Sequence, residues 1–556
     1  MNKKVCSFPI LFALLALLIG TCAVVFPASA QAAPTSTGSI TVSGTVASSY
    51  DAYQIFSANV VDGDSDAKIA TDLAWASDAV RDAALPVLHS AGMPNSQTTA
   101  QEAAEWLNTD SHLTSALSAQ LARSLQSSGA EPVALNAGTT AELSCGYWLI
   151  VADDDAIAQG ETGTAPIMAL VGGSAVTVKP KAATPKVAKY VLEDSTAAWQ
   201  KAADATVADD LYWRLSATVP AGLTAYDTYT VQFVDTMSAG LDPSKVAASV
   251  RVYAAAGADG GFDVVQTGKD GRAGTEPAKG WTDITAQCAT KVAADGKTFT
   301  VRTGDLIAAL GGADAFTAGA RVVAVYNAPL NGACNHGIAK GNPNEVYLRY
   351  PRSPFADQSG DAGFTRTPSD DACAYTWDLA LTKRGSDGDK PLARAVLSIA
   401  DDRGRTLAAD GTWDAEGKAT VTTGEDGRVT VSGVDSGKLE VRELKAPKGY
   451  TAFEGTRSVT VKAEGLDVDQ VAAAKPKLTI TAESPLRADS ADGSTGSLEA
   501  SLINTPTGTP PSITTGGFMP STGDMAMYAA AAAAVAGAAL LVVALLVKRG
   551  GGSHKE

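Results

Sequence analysis

Short segments of this chain alternate between apolar and polar residues, a period of two that is typical of β-strands with one buried face. In the segment 377–384, the residues on the apolar face are Trp377, Leu379, Leu381 and Lys383. Lys383 therefore lies on the face that should be buried, although burial of an unpaired charge is costly. Many such strands, broken by Gly, Asp and Pro, predict β-sandwich domains.

Two more polar residues fall on apolar strand faces later in the same region. Glu443 shares a face with Leu439 and Val441. Asn504 ends the apolar face of the segment 498–504. The inner faces of one predicted sandwich therefore carry a lysine, a carboxylic acid and an asparagine.

The same three residue types recur, in the same chain order, on apolar strand faces of an earlier region. Strand parity places them at Lys189, Asp235 and Asn344. Lys186 is the alternative lysine, but it points away from the face that Lys189 shares with Val187. One such residue is ordinary, because a side chain at a strand end can reach water. Two matching sets of three indicate a shared chemistry.

A buried lysine, a buried acid and a buried amide can react with one another. Desolvation lowers the pKa of a lysine, so that its amine is neutral and nucleophilic. The same surroundings favour the protonated form of a carboxylic acid, which can then polarise the asparagine carbonyl. Attack of the amine on that carbonyl releases ammonia and leaves a Lys–Asn isopeptide bond, because the folded core holds the groups together.

These patterns divide the exported part of the chain into successive domains. Residues 33–183 mix strand and helix patterns, residues 184–372 predict a β-sandwich, and residues 373–505 predict a smaller one. Residues 506–518 are rich in Thr, Pro and Gly and predict a linker that cannot pack a core.

Helical periodicity is confined to the first of these domains. Thr99 followed by Glu102 predicts a capped helix that begins at Ala100. Leucines at every fourth position predict a second helix from Ser111 to Leu125. The first domain is therefore expected to be a mixed α/β unit with a helical insertion.

The N-terminus carries the features of an export signal. Residues 1–32 combine Lys3 and Lys4 with an apolar stretch and a small-residue cleavage region. This pattern predicts a secretory signal peptide that is cleaved after Ala30 or Ala32. The remainder of the chain is therefore expected outside the cytoplasm.

The C-terminal segment 519–556 contains a second apolar run. The run extends from Met525 to Val547, and a helix of these 23 residues would cover ~34 Å, enough to cross a bilayer. The basic residues Lys548 and Arg549 follow it and should remain on the cytoplasmic side. The run predicts a transmembrane helix.

The residues before this run carry a motif. Pro520, Thr522 and Gly523 resemble the cell-wall sorting signal of Gram-positive surface proteins, Leu-Pro-x-Thr-Gly, with Met519 in place of leucine. The resemblance implies that a sortase, a cysteine transpeptidase, cleaves between Thr522 and Gly523 and transfers the Thr522 carbonyl to an amine. It also implies covalent attachment to peptidoglycan.

Composition and motifs argue against other classes of function. A net charge of −16 makes nucleic acid an unlikely partner. The histidines lack neighbours with metal-ligand spacing, and no nucleophile–histidine–acid signature is present, so we predict no metal, no cofactor and no external substrate.

Spacing alone cannot pair the cysteines. Our expected disulfide is Cys334–Cys373, because both residues lie in loop-like stretches, and Cys145 is expected to be a free thiol.

Three longer motifs carry a resemblance to pilins. The segment Glu443–Tyr450 matches the E-x-x-A-P-x-G-Y box of the CnaB-type domains of Gram-positive pilins. Gly341–Tyr350 resembles the last-strand motif of the pilin middle domain, and Phe233–Leu241 resembles its acid-bearing strand. The whole chain resembles a SpaA-type fimbrial backbone subunit, a mainly β chain of tandem immunoglobulin-like sandwiches.

This resemblance assigns roles to the inward-facing residues. The implied catalytic acids are Asp235 and Glu443, and the implied isopeptide bonds are Lys189–Asn344 and Lys383–Asn504. The only chemistry implied for the chain is therefore a single reaction upon itself, without an external substrate.

A polymerising pilin also needs an exposed lysine that accepts the next subunit. The family motif V-x-V-Y-P-K-N is partly matched by Val176–Ala182, in which Lys181 takes the acceptor position. Strand parity places Lys181 on the outward face, as an acceptor requires. Lys179, which replaces the tyrosine of the motif, is the alternative acceptor.

The resemblance implies a structural function. We expect a pilus shaft subunit that is joined by sortase to neighbouring subunits and anchored to the wall of a Gram-positive cell. The alternative is an adhesin or minor pilin that carries the same domains, is attached singly and binds a host surface ligand. The acceptor lysine separates the two hypotheses, because only a shaft subunit needs one.

Overall fold

The computed structural model describes residues 36–508, except for positions 45, 65–66, 110–111, 181–183, 222, 264–277 and 313–317. The predicted signal peptide, sorting signal and apolar C-terminal run lie outside the described residues, as does Lys181. Within the described ranges, no helix has both the length and the apolar character needed to cross a bilayer.

The N-terminal domain combines two β-sheets with a layer of helices. Its strands are β1 (Thr37–Val42), β2 (Ser49–Asp62), β3 (Lys68–Trp75), β4 (Val133–Asn136), β5 (Thr140–Ser144), β6 (Gly146–Ala152), β7 (Ile167–Val171) and β8 (Val176–Val178). Its helices are α1 (Asp78–Ser90), α2 (Ala100–Asn108) and α3 (Ser115–Ser127). The strand orders are β5-β1-β8 in one sheet and β3-β2-β6-β7 in the other, with β4 beside β2.

The predicted helices are present, with one different start. Thr99 and Glu102 form the predicted capping box at the beginning of α2. Helix α3 begins at Ser115 and not at Ser111, because the Thr114 side chain accepts a hydrogen bond from the helical backbone and so caps it. Helix α1 has no counterpart in the sequence prediction, and it contains Pro86.

The middle domain is a sandwich of two large sheets around one apolar core. Its strands are β9 (Lys186–Glu193), β10 (Ala198–Gln200), β11 (Ala202–Asp204), β12 (Tyr212–Val219), β13 (Gln232–Met237), β14 (Arg251–Ala256), β15 (Thr282–Asp283), β16 (Ala289–Val292), β17 (Thr298–Arg302), β18 (Ala320–Asn327), β19 (Asn342–Pro351), β20 (Phe364–Arg366) and β21 (Asp370–Tyr375). Two short helices, α4 (Val246–Ser249) and α5 (Leu306–Ala309), lie in connections. The strand orders are β10-β9-β12-β18-β14-β15 and β11-β21-β19-β13-β17-β16, with β20 beside β19.

The C-terminal domain is a second sandwich with its own core. Its strands are β22 (Trp377–Gly385), β23 (Val396–Ala400), β24 (Thr406–Leu407), β25 (Trp413–Asp414), β26 (Val421–Thr422), β27 (Arg428–Val434), β28 (Gly437–Lys445), β29 (Tyr450–Thr451), β30 (Thr456–Glu464), β31 (Lys477–Ala482), β32 (Leu486–Asp492) and β33 (Ser497–Pro506). One sheet has the order β27-β22-β33-β29 with β32 beside β33, and the other has the order β25-β24-β23-β28-β30-β31 with β26 beside β23.

Strand β21 joins the two sandwiches. It pairs with β19 and β11 of the middle domain. Its Ala372 and Ala374 side chains enter the core of the middle domain, whereas Cys373 and Tyr375 enter the core of the C-terminal domain. The predicted boundary between residues 372 and 373 therefore falls inside a paired strand.

The expected Cys334–Cys373 disulfide is wrong, because both residues are free thiols. Cys334 packs against the middle core, with its Sγ atom 3.6 Å from His336 Nε2. Cys373 is buried among the residues of the C-terminal core. Cys145 is free and buried, as expected.

Candidate functional site

The middle domain brings the first predicted set of residues together between its two sheets. Lys189 lies on β9 of one sheet, and Asp235 and Asn344 lie on β13 and β19 of the other, all of them 0% exposed. In the register of β13 and β19, Asp235 is opposite Val346, and Asn344 is opposite Met237. Asp235 and Met237 are two positions apart and point to the same face of β13, so the acid and the amide share the inner face of the sheet. Lys186 is exposed, which confirms the predicted parity of β9.

A tyrosine hydroxyl connects the three side chains. Lys189 Nζ contacts Asp235 Oδ2 and donates a hydrogen bond to the Tyr326 hydroxyl at 2.9 Å. The same hydroxyl accepts from Asn344 Nδ2 at 2.8 Å and donates to Asp235 Oδ2 at 3.0 Å. Tyr326 therefore bridges the amine to the amide nitrogen that the proposed reaction would release.

Two buried oxygen atoms of this site are without hydrogen bonds. Among the described residues, neither Asp235 Oδ1 nor Asn344 Oδ1 has a partner. An unsatisfied buried oxygen costs free energy, because the atom loses its hydrogen bonds to water. Both the acid and the amide therefore keep an oxygen that is free to form a further hydrogen bond.

The surroundings favour the neutral forms of both reacting groups. The Lys189 Nζ atom lies 5.4 Å from the centroids of the Trp213 and Tyr326 rings. Burial lowers the pKa of Lys189 to about 8, and burial raises the pKa of Asp235 above its usual range. A proton shared between the amine and the acid can therefore rest on the acid, which leaves the amine nucleophilic.

The C-terminal domain builds its site differently. Lys383 on β22 and Asn504 on β33 lie in adjacent parallel strands, with Asn504 opposite Gly385. Glu443 on β28 comes from the facing sheet. Lys383 is 0% exposed, Glu443 is 6% exposed and Asn504 is 2% exposed, which confirms the three inward orientations predicted by parity.

Amine, acid and amide are in direct mutual contact in this second site. Lys383 Nζ contacts Asn504 Oδ1 and lies 3.1 Å from Glu443 Oε1. Asn504 Nδ2 donates to the same Glu443 oxygen at 2.9 Å, and the Phe453 backbone N–H donates to the other at 3.1 Å. Burial lowers the pKa of Lys383 to about 8.

The two sites would join different parts of their sandwiches. A Lys189–Asn344 bond would connect the two facing sheets of the middle domain, whereas a Lys383–Asn504 bond would connect the first and last strands of the C-terminal domain within one sheet. Both arrangements are suited to internal covalent crosslinking.

Sequence reasoning missed Tyr326. Strand β18 is buried along nearly its whole length, so alternation does not mark its functional residue. One signal in the sequence could have indicated Tyr326, namely a tyrosine within an apolar run. A buried tyrosine hydroxyl needs a hydrogen-bond partner, so such a residue points to a polar group in the core. In the described part of the chain, no three metal-ligating side chains converge.

The architecture and the two sites define a class, that of chains of tandem β-sandwiches whose cores each bring together a buried lysine, a buried acid and a buried asparagine. Residues 378–475 match the family model described as SpaA, prealbumin-like fold domain. The resemblance to SpaA-type pilins is thereby confirmed for the domain that contains Lys383 and Glu443.

The chain is also similar to individual proteins. It is 29% identical over 143 residues to the trypsin-resistant surface T6 protein of Streptococcus pyogenes serotype M6, a stretch that spans 24% of each chain. The structure of the T6 backbone pilin of that serotype matches with 17% identity and a TM-score of 0.45, covering 85% of this chain and 98% of the pilin. The major pilin SpaD of Corynebacterium diphtheriae matches with 14% identity and a TM-score of 0.41, covering 86% of this chain and 100% of the pilin.

Proposed function

We propose that this chain is the shaft subunit of a sortase-assembled pilus and that it forms two internal Lys–Asn isopeptide bonds. The observation that carries the proposal is the presence, in two consecutive sandwiches, of a buried lysine in contact with a buried acid and next to a buried asparagine. The SpaA-type match of residues 378–475 and the local similarity to the T6 surface protein support it.

The proposed reaction conserves atoms and charge within each core. The neutral amine attacks Asn Cγ, the Nζ–Cγ bond forms and the Cγ–Nδ2 bond breaks. One amine proton passes to the leaving nitrogen, and ammonia departs. In the middle domain, the Tyr326 hydroxyl contacts both nitrogen atoms and provides a route for that proton, while Asp235 polarises the carbonyl.

Such bonds suit a chain that carries tension. In the C-terminal domain, β22 and β33 are the first and last strands and lie side by side. A force that enters one and leaves through the other shears their hydrogen-bond ladder, in which each bond contributes only ~1 kcal/mol net. A covalent Lys383–Asn504 bond would carry this load directly.

Attachment and polymerisation rest on segments outside the described residues. We propose that the signal peptide directs export and that the C-terminal helix holds the chain in the membrane. Sortase then cleaves after Thr522 and joins it to Lys181 of another subunit or, at the base, to peptidoglycan. The product is a covalent polymer on the surface of a Gram-positive cell.

Replacing Lys181 with alanine tests the polymer. Wall extracts of cells that make the wild-type chain should give a high-mass ladder on a denaturing gel, and the Lys181→Ala chain should run as a monomer. Lys186→Ala, which removes an exposed lysine nearby, is the matched control and should keep the ladder. A ladder that survives in Lys181→Ala but is lost in Lys179→Ala moves the acceptor to Lys179. A wild-type chain without a ladder contradicts the shaft and favours the singly attached adhesin.

Replacing Tyr326 with phenylalanine should slow bond formation in the middle domain about tenfold, because the amine loses one hydrogen-bond partner worth ~1 kcal/mol or more. The measurement follows the Lys189–Asn344 crosslinked peptide over time after refolding. Tyr350→Phe is the control, because its hydroxyl donates to Gly160 O, away from the site. Equal rates in the two variants would exclude a role for the Tyr326 hydroxyl.

A further inference from the structure

The outer face of the middle domain carries a row of three arginines and one glutamine across four adjacent strands. The register places Arg302 of β17 opposite Gln232 of β13, Gln232 opposite Arg349 of β19, and Arg349 opposite Arg366 of β20. Like charges directly opposite one another destabilise a sheet. A row of this kind on a chain of net charge −16 therefore calls for an explanation outside the sheet itself.

A groove lies at the end of this row, where the N-terminal domain meets the middle domain. Its volume is about 460 Å³, and its lining residues are Ile157, Ala158, Gln159, Tyr347, Arg349, Arg352, Phe364, Thr365 and Arg366. Three guanidinium groups and two aromatic rings thus line the groove together with the neutral polar groups of Gln159 and Thr365. No carboxylate is among the described residues that line it, although Asp361 and Asp155 lie 2.8 and 3.9 Å from Arg349 and Arg352. This volume falls within the range of small-ligand sites.

Two of the arginines in the row are held in position before any ligand binds. The guanidinium groups of Arg302 and Arg349 lie 5.6 and 5.7 Å from the centroid of the Phe364 ring. Arg349 is also bonded to Asp361 at 2.8 Å, and Arg302 donates to the Gln358 carbonyl. These contacts reduce the conformational freedom that binding would otherwise remove.

Arg366 is the arginine that remains available. It is exposed, its guanidinium lies 5.1 Å from the centroid of the Tyr347 ring, and within the described ranges it has no carboxylate partner. A guanidinium stacked on a ring keeps its N–H edge free, and that edge matches a carboxylate, sulfate or phosphate group with two parallel hydrogen bonds.

We propose that this groove binds an acidic saccharide, a sugar that carries a carboxylate or sulfate group. Arg366 binds the anionic group, and Arg352, which also lies 3.9 Å from the exposed Asp155 carboxylate, supports it. The half-buried Tyr347 ring packs against the apolar face of the sugar ring, and Gln159 and Thr365 bind its hydroxyl groups. The groove is open to solvent, so a longer acidic glycan can continue along the arginine row toward Arg302. The site is independent of the crosslinks, because its residues face away from the core.

Isothermal titration of the purified full chain tests this proposal. The acidic probes are a heparin hexasaccharide, which carries sulfate and carboxylate groups, and hexagalacturonate, which carries carboxylates alone. Maltohexaose, hexaglutamate and inorganic sulfate are the comparison ligands. The variant is Arg366→Gln, and the matched control is Arg394→Gln, another exposed arginine, which pairs with Glu425 in the C-terminal domain.

At least one acidic hexasaccharide should bind, and Arg366→Gln should weaken that binding about tenfold or more, while Arg394→Gln leaves it unchanged. Binding of heparin alone would assign the site to sulfated glycans, and binding of both would assign it to carboxylates. Equal binding of maltohexaose, hexaglutamate or sulfate would overturn the proposal, as would full affinity in Arg366→Gln.

Discussion

Replacing Glu443 with alanine should prevent the loss of one ammonia molecule, so that the variant is heavier than the wild type by that mass after correction for the substitution. The same replacement should sharply lower the unfolding temperature of the C-terminal domain. The reason is that Glu443 Oε1 contacts both Lys383 Nζ and Asn504 Nδ2, so the substitution removes the acid that we propose polarises the Asn504 carbonyl. The wild-type chain should be lighter than its sequence mass by one ammonia for each bond.

The expected loss of stability has two sources. Lys383 and Asn504 are 121 residues apart, and a crosslink over a loop of that length stabilises a fold by about 5 kcal/mol in the chain-entropy model. Removing the acid also leaves a buried lysine without its counter-charge, at a cost of ~3–5 kcal/mol. Together these effects should lower the unfolding temperature by on the order of 20 °C or more.

Glu440→Ala is the matched control for this experiment. Glu440 lies on the same strand and is exposed, and among the described residues its ion-pair partner is Lys438 at 2.9 Å. Its loss should leave the ammonia count unchanged and should shift the unfolding temperature by no more than a few degrees. Intact-mass spectrometry and calorimetry measure the two quantities. If Glu443→Ala still lacks the same number of ammonia molecules as the wild type, Glu443 is not the catalytic acid.

The inward residues could be predicted because the side-chain period of a strand is two. Lys383, Glu443 and Asn504 each share a face with apolar neighbours, and each is buried as parity requires. The same rule chose Lys189 over Lys186. Parity works here because these strands have one polar face, so that a slip of one residue would expose a whole apolar set.

Features set by tertiary packing were not predictable in this way. Strand β21 has two buried faces, and its side chains alternate between two domain cores. Sequence alone cannot divide such a strand between domains, and for this reason the predicted boundary after residue 372 falls inside β21. The expected Cys334–Cys373 disulfide is wrong, because both thiols are free. Tyr326 was missed for a related reason, because β18 is also buried on both faces.

The relation of each lysine to its asparagine was also beyond the sequence. Both sets have the chain order lysine, acid, asparagine, yet only Lys383 and Asn504 lie on neighbouring strands of one sheet. Lys189 and Asn344 face each other across the sandwich. Which strands become neighbours depends on long-range pairing, and local alternation carries no information about it.

Bond formation in the middle domain should have a bell-shaped dependence on pH. The reactive state has a neutral Lys189 and a protonated Asp235, and it contains as many protons as the ion pair of the two residues. The rate of bond formation should therefore not depend on pH in the range where the two residues share one titratable proton. Burial lowers the pKa of Lys189 to about 8, so the rate should fall above that pH as this proton is lost. Burial raises the pKa of Asp235, so the acid limb should begin above the ordinary range of an aspartate.

For the measurement, the chain is produced and kept in denaturant and is then refolded at pH values between 4 and 10. The rate is the rate at which the Lys189–Asn344 crosslinked peptide appears. Asp235→Asn keeps the size of the side chain but removes the acid, so the rate should fall by ~10²–10⁴-fold at every pH. Thr236→Ala, on the exposed face of the same strand, should behave as the wild type. A rate that continues to rise well above pH 8 would show that the amine reacts without a proton on Asp235. A flat profile that persists in Asp235→Asn would mean that proximity alone, set by the packing of β9 against β19, drives the reaction.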